Sequence, residues 1–168
     1  LYCKLLESEI EDLKGKDKEL EDVEININID AYIPESYISD SRQKIEMYKK
    51  LKKTNSEADI ISLIDEFVDR YGDPPQSVMN LIELSRVNLL AKNLRIKEIL
   101  QKDAGYRIIF REDNNIDSDH IVKLLEKYPK KLKIKNSKNP EIIIKDQDLS
   151  LLKKVLNYLN EQMQSIGE

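Results

Sequence analysis

Histidine and cysteine each occur once in these 168 residues, and tryptophan not at all. With His120 as the sole imidazole, most zinc sites and any network of two histidines are excluded. Cys3 alone leaves no internal disulfide and points to a reducing, cytoplasmic setting. Four glycines provide little for a phosphate-cradling loop. No stretch approaches the roughly 18 apolar residues of a membrane span. There is no signal-peptide pattern, and a chain that begins at Leu1 reads as a piece of a longer protein. What is present is ionic. Charged residues make up 36% and hydrophobic ones 40%, with a mean hydropathy of -0.57. The 28 basic and 32 acidic residues nearly cancel, to a net charge of -4, so the chain is expected to fold as a globule with a heavily charged surface.

Tyr2, Leu5, Leu6, Ile10 and Leu13 recur as on one helix face, with Gly15 where a cap belongs, and residues 14–22 read as a polar linker. Residues 1–22 are therefore expected to be the end of a preceding helix plus linker, and 23–168 a single domain. Val23, Ile25, Ile27 and Ile29 alternate with polar residues as in a half-buried strand. Asp40 with Gln43, and Ser56 with Asp59, resemble capping boxes that start two helices. The first carries a stripe of Ile45, Tyr48 and Leu51; the second carries Ile60, Leu63, Ile64, Phe67, Val68 and Tyr71 and ends at Gly72. Asp73-Pro74-Pro75 is expected to cap a third helix, about 75–93, apolar around most of its circumference and hence central. From Ile96 the pattern becomes two hairpins, each followed by a helix, with turns at 103–105 and 136–140 and caps at Asp117 or Ser118 and at Asp148. The last helix turns Leu152, Val155, Leu156, Leu159 and Met163 one way. The expectation is an α+β fold: a helical part with one strand to about residue 94, then a two-layer ββαββα unit over about 95–166.

The search for catalytic chemistry finds nothing. His120 beside Asp117 and Asp119 reads as part of a solvated helix start, Cys3 as a packing residue, and Gly15-Lys16 lacks the strand and upstream glycine of a phosphate loop. No carboxylates pair at a spacing that selects a metal. No cofactor and no enzymatic activity are expected. Two surfaces remain. Lys127, Lys130, Lys131, Lys133, Lys135 and Lys138 cluster on the second hairpin and could meet nucleic acid, although stacking aromatics and arginine forks are absent and lysines also protect a sheet edge. On the helix from Ser56 to Tyr71, Asp59, Ser62, Glu66 and Asp69 fall within about 80° of one another at 100° steps. Glu66 and Asp69 lie where carboxylates oppose the macrodipole, and only Glu66 gains an i,i+4 cation, Arg70. Such a stripe suits a basic partner surface, or is a plain solvated face.

Asp30 to Ile38 (DAYIPESYI), Arg42 to Leu51 (RQKIEMYKKL) and Leu63 to Pro75 (LIDEFVDRYGDPP) together resemble the C-terminal domain of bacterial transcription-repair coupling factors, the Mfd family. There a strand leads into an AYIP-SYI loop, a helix with YK-L and a turn of the DRFG type. Leu1 to Leu6 (LYCKLL) also resembles the family's helix after the motor. The resemblance is dense over residues 1–95 and thinner beyond, with Tyr71 in place of the usual Phe. It implies a non-catalytic, regulatory domain of an ATP-driven DNA translocase that engages RNA polymerase. In the family this domain packs against an N-terminal UvrB-like module and masks the surface that binds UvrA, while DNA is handled by other domains and no membrane is involved. The DRFG-type helix maps to Asp65 to Gly72. The resemblance thus assigns the acidic face, Glu66 and Asp69 with Asp65 and Asp59 flanking, to the basic partner.

Overall fold

The structure, a computed structural model, describes residues 22–114 and 116–167, with side chains as far as Gln162. The helix expected over residues 1–13, Cys3, the LYCKLL match and the side chain of Met163 lie outside the described residues. Within them the chain runs β1 (Glu24–Asn26), α1 (Ser41–Lys53), α2 (Glu57–Tyr71), α3 (Gln76–Asn93), β2 (Ile96–Lys102), β3 (Gly105–Phe110), α4 (Ser118–Lys127), β4 (Leu132–Lys135), β5 (Glu141–Ile144) and α5 (Leu149–Gly167). This is the mixed α/β class expected, with the ββαββα order intact. No helix among the described residues is long and apolar enough to cross a membrane.

The five strands form one sheet in the order β1-β2-β3-β5-β4. β1 lies parallel to β2, with Ile25 opposite Ile99, and the other pairs are antiparallel. A parallel neighbour requires a long crossover. Here the crossover is the entire helical region, α1 to α3, so the lone strand of the first half becomes an edge of the second half's sheet. Asn28 N–H donates to Gln101 Oε1 at 2.7 Å, and Asn80 Nδ2 donates to the Asp30 carbonyl at 2.9 Å, leading the chain from sheet to helices.

Two clusters of buried side chains result. One surrounds Phe67, with Ile33, Ile38, Met47, Ile60 and Leu63; the other lies between sheet and helices, with Ile99, Ile108, Phe110, Leu152 and Leu156. α3 belongs to both, giving Val78 and Ile82 to the first and Val87 and Ala91 to the second. That is the central position its all-round apolar surface predicts.

Local signals hold where side-chain chemistry is self-contained. Asp40 accepts from the N–H groups of Arg42 and Gln43, Asp117 from that of Asp119, and Asp148 from that of Ser150. Three readings need correction. Met47, not Ile45, joins Leu51 in the core, and Ile45 stands 54% exposed: α1 has so few apolar residues that packing on α2 and α3 decides between two overlapping stripes. Val68 is 40% exposed because the buried face of α2 centres on Ile60, Leu63 and Phe67. Asp73 does not cap α3; Pro75 occupies that position, with no side-chain bond.

Gly72 ends α2 at φ 85°, the left-handed region open to glycine. In the β2–β3 hairpin the left-handed residues are instead Asp103 and Ala104, at φ 52° and 64°. Gly105 serves another need: a Cβ there would lie 1.9 Å from the Ile144 carbonyl oxygen of the neighbouring strand.

Candidate functional site

The acidic surface singled out by the sequence is carried on α2. Ser56 Oγ accepts the Asp59 N–H at 3.1 Å and starts the helix. At its other end the Tyr37 hydroxyl donates toward the carbonyls of Phe67, at 3.1 Å, and Gly72, at 2.7 Å. Burial, aided by nearby Asp73, pushes the Tyr37 phenol above its ordinary range. Its ring also packs on Phe67 and Tyr71. The end of α2 thus receives a side-chain cap from a loop 30 to 35 residues earlier in sequence, and the Gly72 carbonyl, which has no intrahelical donor, gains one. Gln43, expected to close a capping box, accepts instead from the Tyr71 hydroxyl at 3.1 Å and ties α1 to α2.

The four acids do not share one environment. Glu66 faces α1: its Oε2 takes Lys50 Nζ at 2.6 Å and Arg70 Nη1 at 2.8 Å, and its side chain is 28% exposed. Glu46 joins the same two cations at 3.3 Å each, closing a four-residue network. Hydrogen bonding to Lys50, reinforced by Arg70 against the opposing effect of burial, holds the Glu66 carboxyl below the usual glutamate range. Asp59 Oδ2 accepts the Asn55 N–H at 3.1 Å and is spent on the helix start. Asp65 and Asp69 are exposed and make no ion pair among the described residues. With the buried face centred on Leu63 and Phe67, 100° steps put Asp65 and Asp69 nearly opposite it, and Glu66 and Asp59 on the flank toward α1. Ile61, 50% exposed, and Val68 border the acids on the other flank.

Sequence reading found the acids and the Glu66–Arg70 pair, but missed Lys50 and Glu46. The signal was available: α1 ends in Lys50, Lys52 and Lys53, and an antiparallel neighbour must set them beside the acids of α2. A shallow groove of about 320 Å³ between these helices is lined by Lys50, Lys53, Asp59 and Glu66. It is a mixed-charge surface. The net acidic element is the outward pair Asp65 and Asp69.

Elsewhere, His120 is half-buried in the first turn of α4, and no group of three potential metal ligands occurs among the described residues. Four of the six lysines of the second hairpin have a partner among the described residues, those of Lys135 and Lys138 at long range and exposed. Lys131 pairs with Asp146 at 2.5 Å, Lys135 with Glu141 at 3.9 Å and Lys138 with Glu112 at 3.8 Å, while Lys127 lies over the rings of Tyr128 and Tyr158. Lys130 and Lys133 are exposed.

A family profile for the TRCF domain matches residues 27–121. The transcription-repair-coupling factor of Staphylococcus aureus strain USA300 is 30% identical over 178 aligned positions, which take in 100% of this chain and 15% of that protein. That of Bacillus subtilis strain 168 is 32% identical over 136 positions, covering 79% of this chain and 12% of the relative. The crystal structure of the C-terminal domain of a transcription-repair coupling factor superimposes with a TM-score of 0.74 at 26% identity, covering 85% of this chain and 92% of that one. The chain therefore spans about 15% of the length of the curated relatives it matches.

Proposed function

This chain belongs to the TRCF-domain family, the C-terminal domain of transcription-repair coupling factors, and on that premise we propose that it is a non-catalytic regulatory clamp within a larger coupling factor. It packs against the N-terminal UvrB-like module of the parent protein and masks that module's UvrA-binding surface. RNA polymerase and DNA are engaged by other parts of the parent, in the cytoplasm, and this domain requires no cofactor. The observation that carries the reading is the state of Asp65 and Asp69. Both project from the DRFG-type helix, exposed and without a cation among the described residues, and Asp69 stands at the helix end where the macrodipole disfavours it. Two exposed carboxylates on one helix face that make no ion pair among the described residues gain most from a basic surface brought against them. A mask of this kind needs a coupling of only about 1–3 kcal/mol to change partner access roughly 5- to 150-fold.

The reading divides the four acids by role. Asp65 and Asp69 contact the partner; Glu66 holds α1 against α2 and positions them; Asp59 serves the helix start. The test is binding of an isolated UvrB-like module to this chain in trans. Asp65→Lys with Asp69→Lys is expected to leave the fold intact, since both side chains are exposed and a cation at 69 suits a helix C-terminus, and to weaken binding at least tenfold at low salt and less at high salt. Unchanged affinity for the double variant, with the wild type binding, places the contact elsewhere on the domain.

A further inference from the structure

Away from α2, the far edge of the sheet combines three properties at one place. The first is an open backbone. Among the described residues β4 pairs only with β5, at the end of the sheet. The Lys145 N–H donates to the Lys131 carbonyl at 2.8 Å, which makes 131 and 145 a hydrogen-bonded pair. In an antiparallel ladder such pairs alternate, so Lys133 and Lys135 bond inward to β5. The N–H and C=O groups of Leu132 and Ile134 therefore point away from the sheet.

The second property is an apolar hollow beside that edge. Between α4 and the sheet lies a cavity of about 310 Å³, with Phe110, Ile134 and Ile142 below and Ile121, Val122 and Leu125 along the helix. Val122 is 51% exposed at this site. The volume is of the size that receives one or two apolar side chains. The third property is charge. Residues 127–145 hold seven lysines and one acid, Glu141. Side chains alternate along β4, so Ile134 faces the hollow and Lys133 and Lys135 face the opposite side.

We infer that the free edge of β4 is a docking site for an extended partner segment in which apolar and acidic residues alternate. Such a segment adds a sixth strand. Its amides pair with Leu132 and Ile134, its apolar side chains enter the hollow beside Val122 and Leu125, and its carboxylates meet Lys133 and Lys135. Lysines on an edge strand also deter unwanted pairing, but a guard alone has no use for an apolar hollow next to the backbone it protects. The period-two match of apolar hollow on one face and lysines on the other specifies alternation in the occupant. A nucleic acid would use only the lysines.

The experiment titrates the full 168-residue chain with a soluble nine-residue peptide alternating glutamate with valine and isoleucine, followed by backbone amide NMR. The expected result is shifts centred on residues 122–135. Binding should fall at least tenfold for a scrambled peptide of the same composition and for one N-methylated on the amides that face β4. Lys133→Glu with Lys135→Glu, both at exposed positions, should weaken binding at least fivefold at low salt with the amide spectrum otherwise preserved. Equal binding of the scrambled peptide overturns the proposal, because charge alone then suffices. So does absence of binding at millimolar peptide, or capture of duplex DNA at the same lysines in preference to the peptide. If the lysine variant self-associates and binds no more weakly than wild type, the lysines are guards only and the proposal fails.

Discussion

Among the described residues the helical region encloses nine buried side chains, Phe67 at their centre, against seventeen between sheet and helices, and the two regions are held together differently. The larger core is closed by strand ladders and isoleucine-rich packing. The smaller one is supplemented by directional bonds: Tyr37 onto the end of α2, Tyr48 onto the Ile33 N–H at 2.8 Å, Tyr71 onto Gln43, and the cations of Lys50 and Arg70 onto Glu66 and Glu46. The two are joined through α3, where Glu83 receives Lys153 of α5 and Arg86, each at 2.7 Å, and Arg86 reaches Glu57 of α2 at 3.0 Å. The difference teaches where working surface can arise. In the helical region the acids of α2 divide into those held in bonds, Glu66 across to α1 and Asp59 at the helix start, and those left over, Asp65 and Asp69. In the sheet region the ladders consume most of the backbone between the two edges, apart from an irregularity at Ile96 to Glu98, and one edge carries the hollow.

The comparison is broken most directly through the smaller core. Phe67→Ala empties its centre and is expected to cost about 3–5 kcal/mol, measured by denaturant melts. A loss under about 1 kcal/mol would contradict the central position assigned to that ring. In the sheet region the sensitive position is a glycine. Gly105→Ala forces β3 and β5 apart at Ile144, and a cost of about 1–3 kcal/mol is expected, at the upper end because the obstacle is backbone. Hydrogen exchange should show the loss in β3 and β5 while α1 and α2 stay protected; equal loss in both regions means that they unfold as one unit.

The smallest effect concerns acid. Because the folded Glu66 carboxyl sits below the ordinary range, its ion pairs contribute fully above about pH 4.3 and lose that contribution as pH falls through the lowered value. Melts of wild type and Glu66→Gln should differ at neutral pH and converge in acid. Curves that remain equally separated into acid would show that Glu66 stabilises by packing, not by charge.

Much of this was legible in sequence, for identifiable reasons. Caps at Asp40, Ser56, Asp117 and Asp148 announce themselves because donor and acceptor lie within three residues. The hairpins follow from alternation and turn chemistry. What stayed hidden depends on distant segments. The pairing of β1 with β2 joins residues some 70 positions apart. The choice of Met47 over Ile45 is made by the neighbouring helices. At the candidate site, the acids themselves were readable, but their division by role was not: Arg70 already sets Glu66 apart from Asp69, and only the packing of α1 adds Lys50 to one and not to the other. The role of Gly105 was misplaced for the same reason. As a turn residue it has a local reading; as a contact with Ile144 it does not.

The central claim is that Asp65 and Asp69 are contacts of a mask, and UvrA affinity tests it most directly. The full-length coupling factor carrying this domain should be compared as wild type, as the Asp65→Lys and Asp69→Lys double variant, and as a truncation lacking the domain. A clamp and its contacts act on one equilibrium, so both changes should raise affinity for UvrA, the double variant approaching the truncation, with differences shrinking at high salt. If the truncation binds UvrA more tightly while the double variant binds like wild type, the acidic pair is a solvated face and the clamp is made by another surface of the domain.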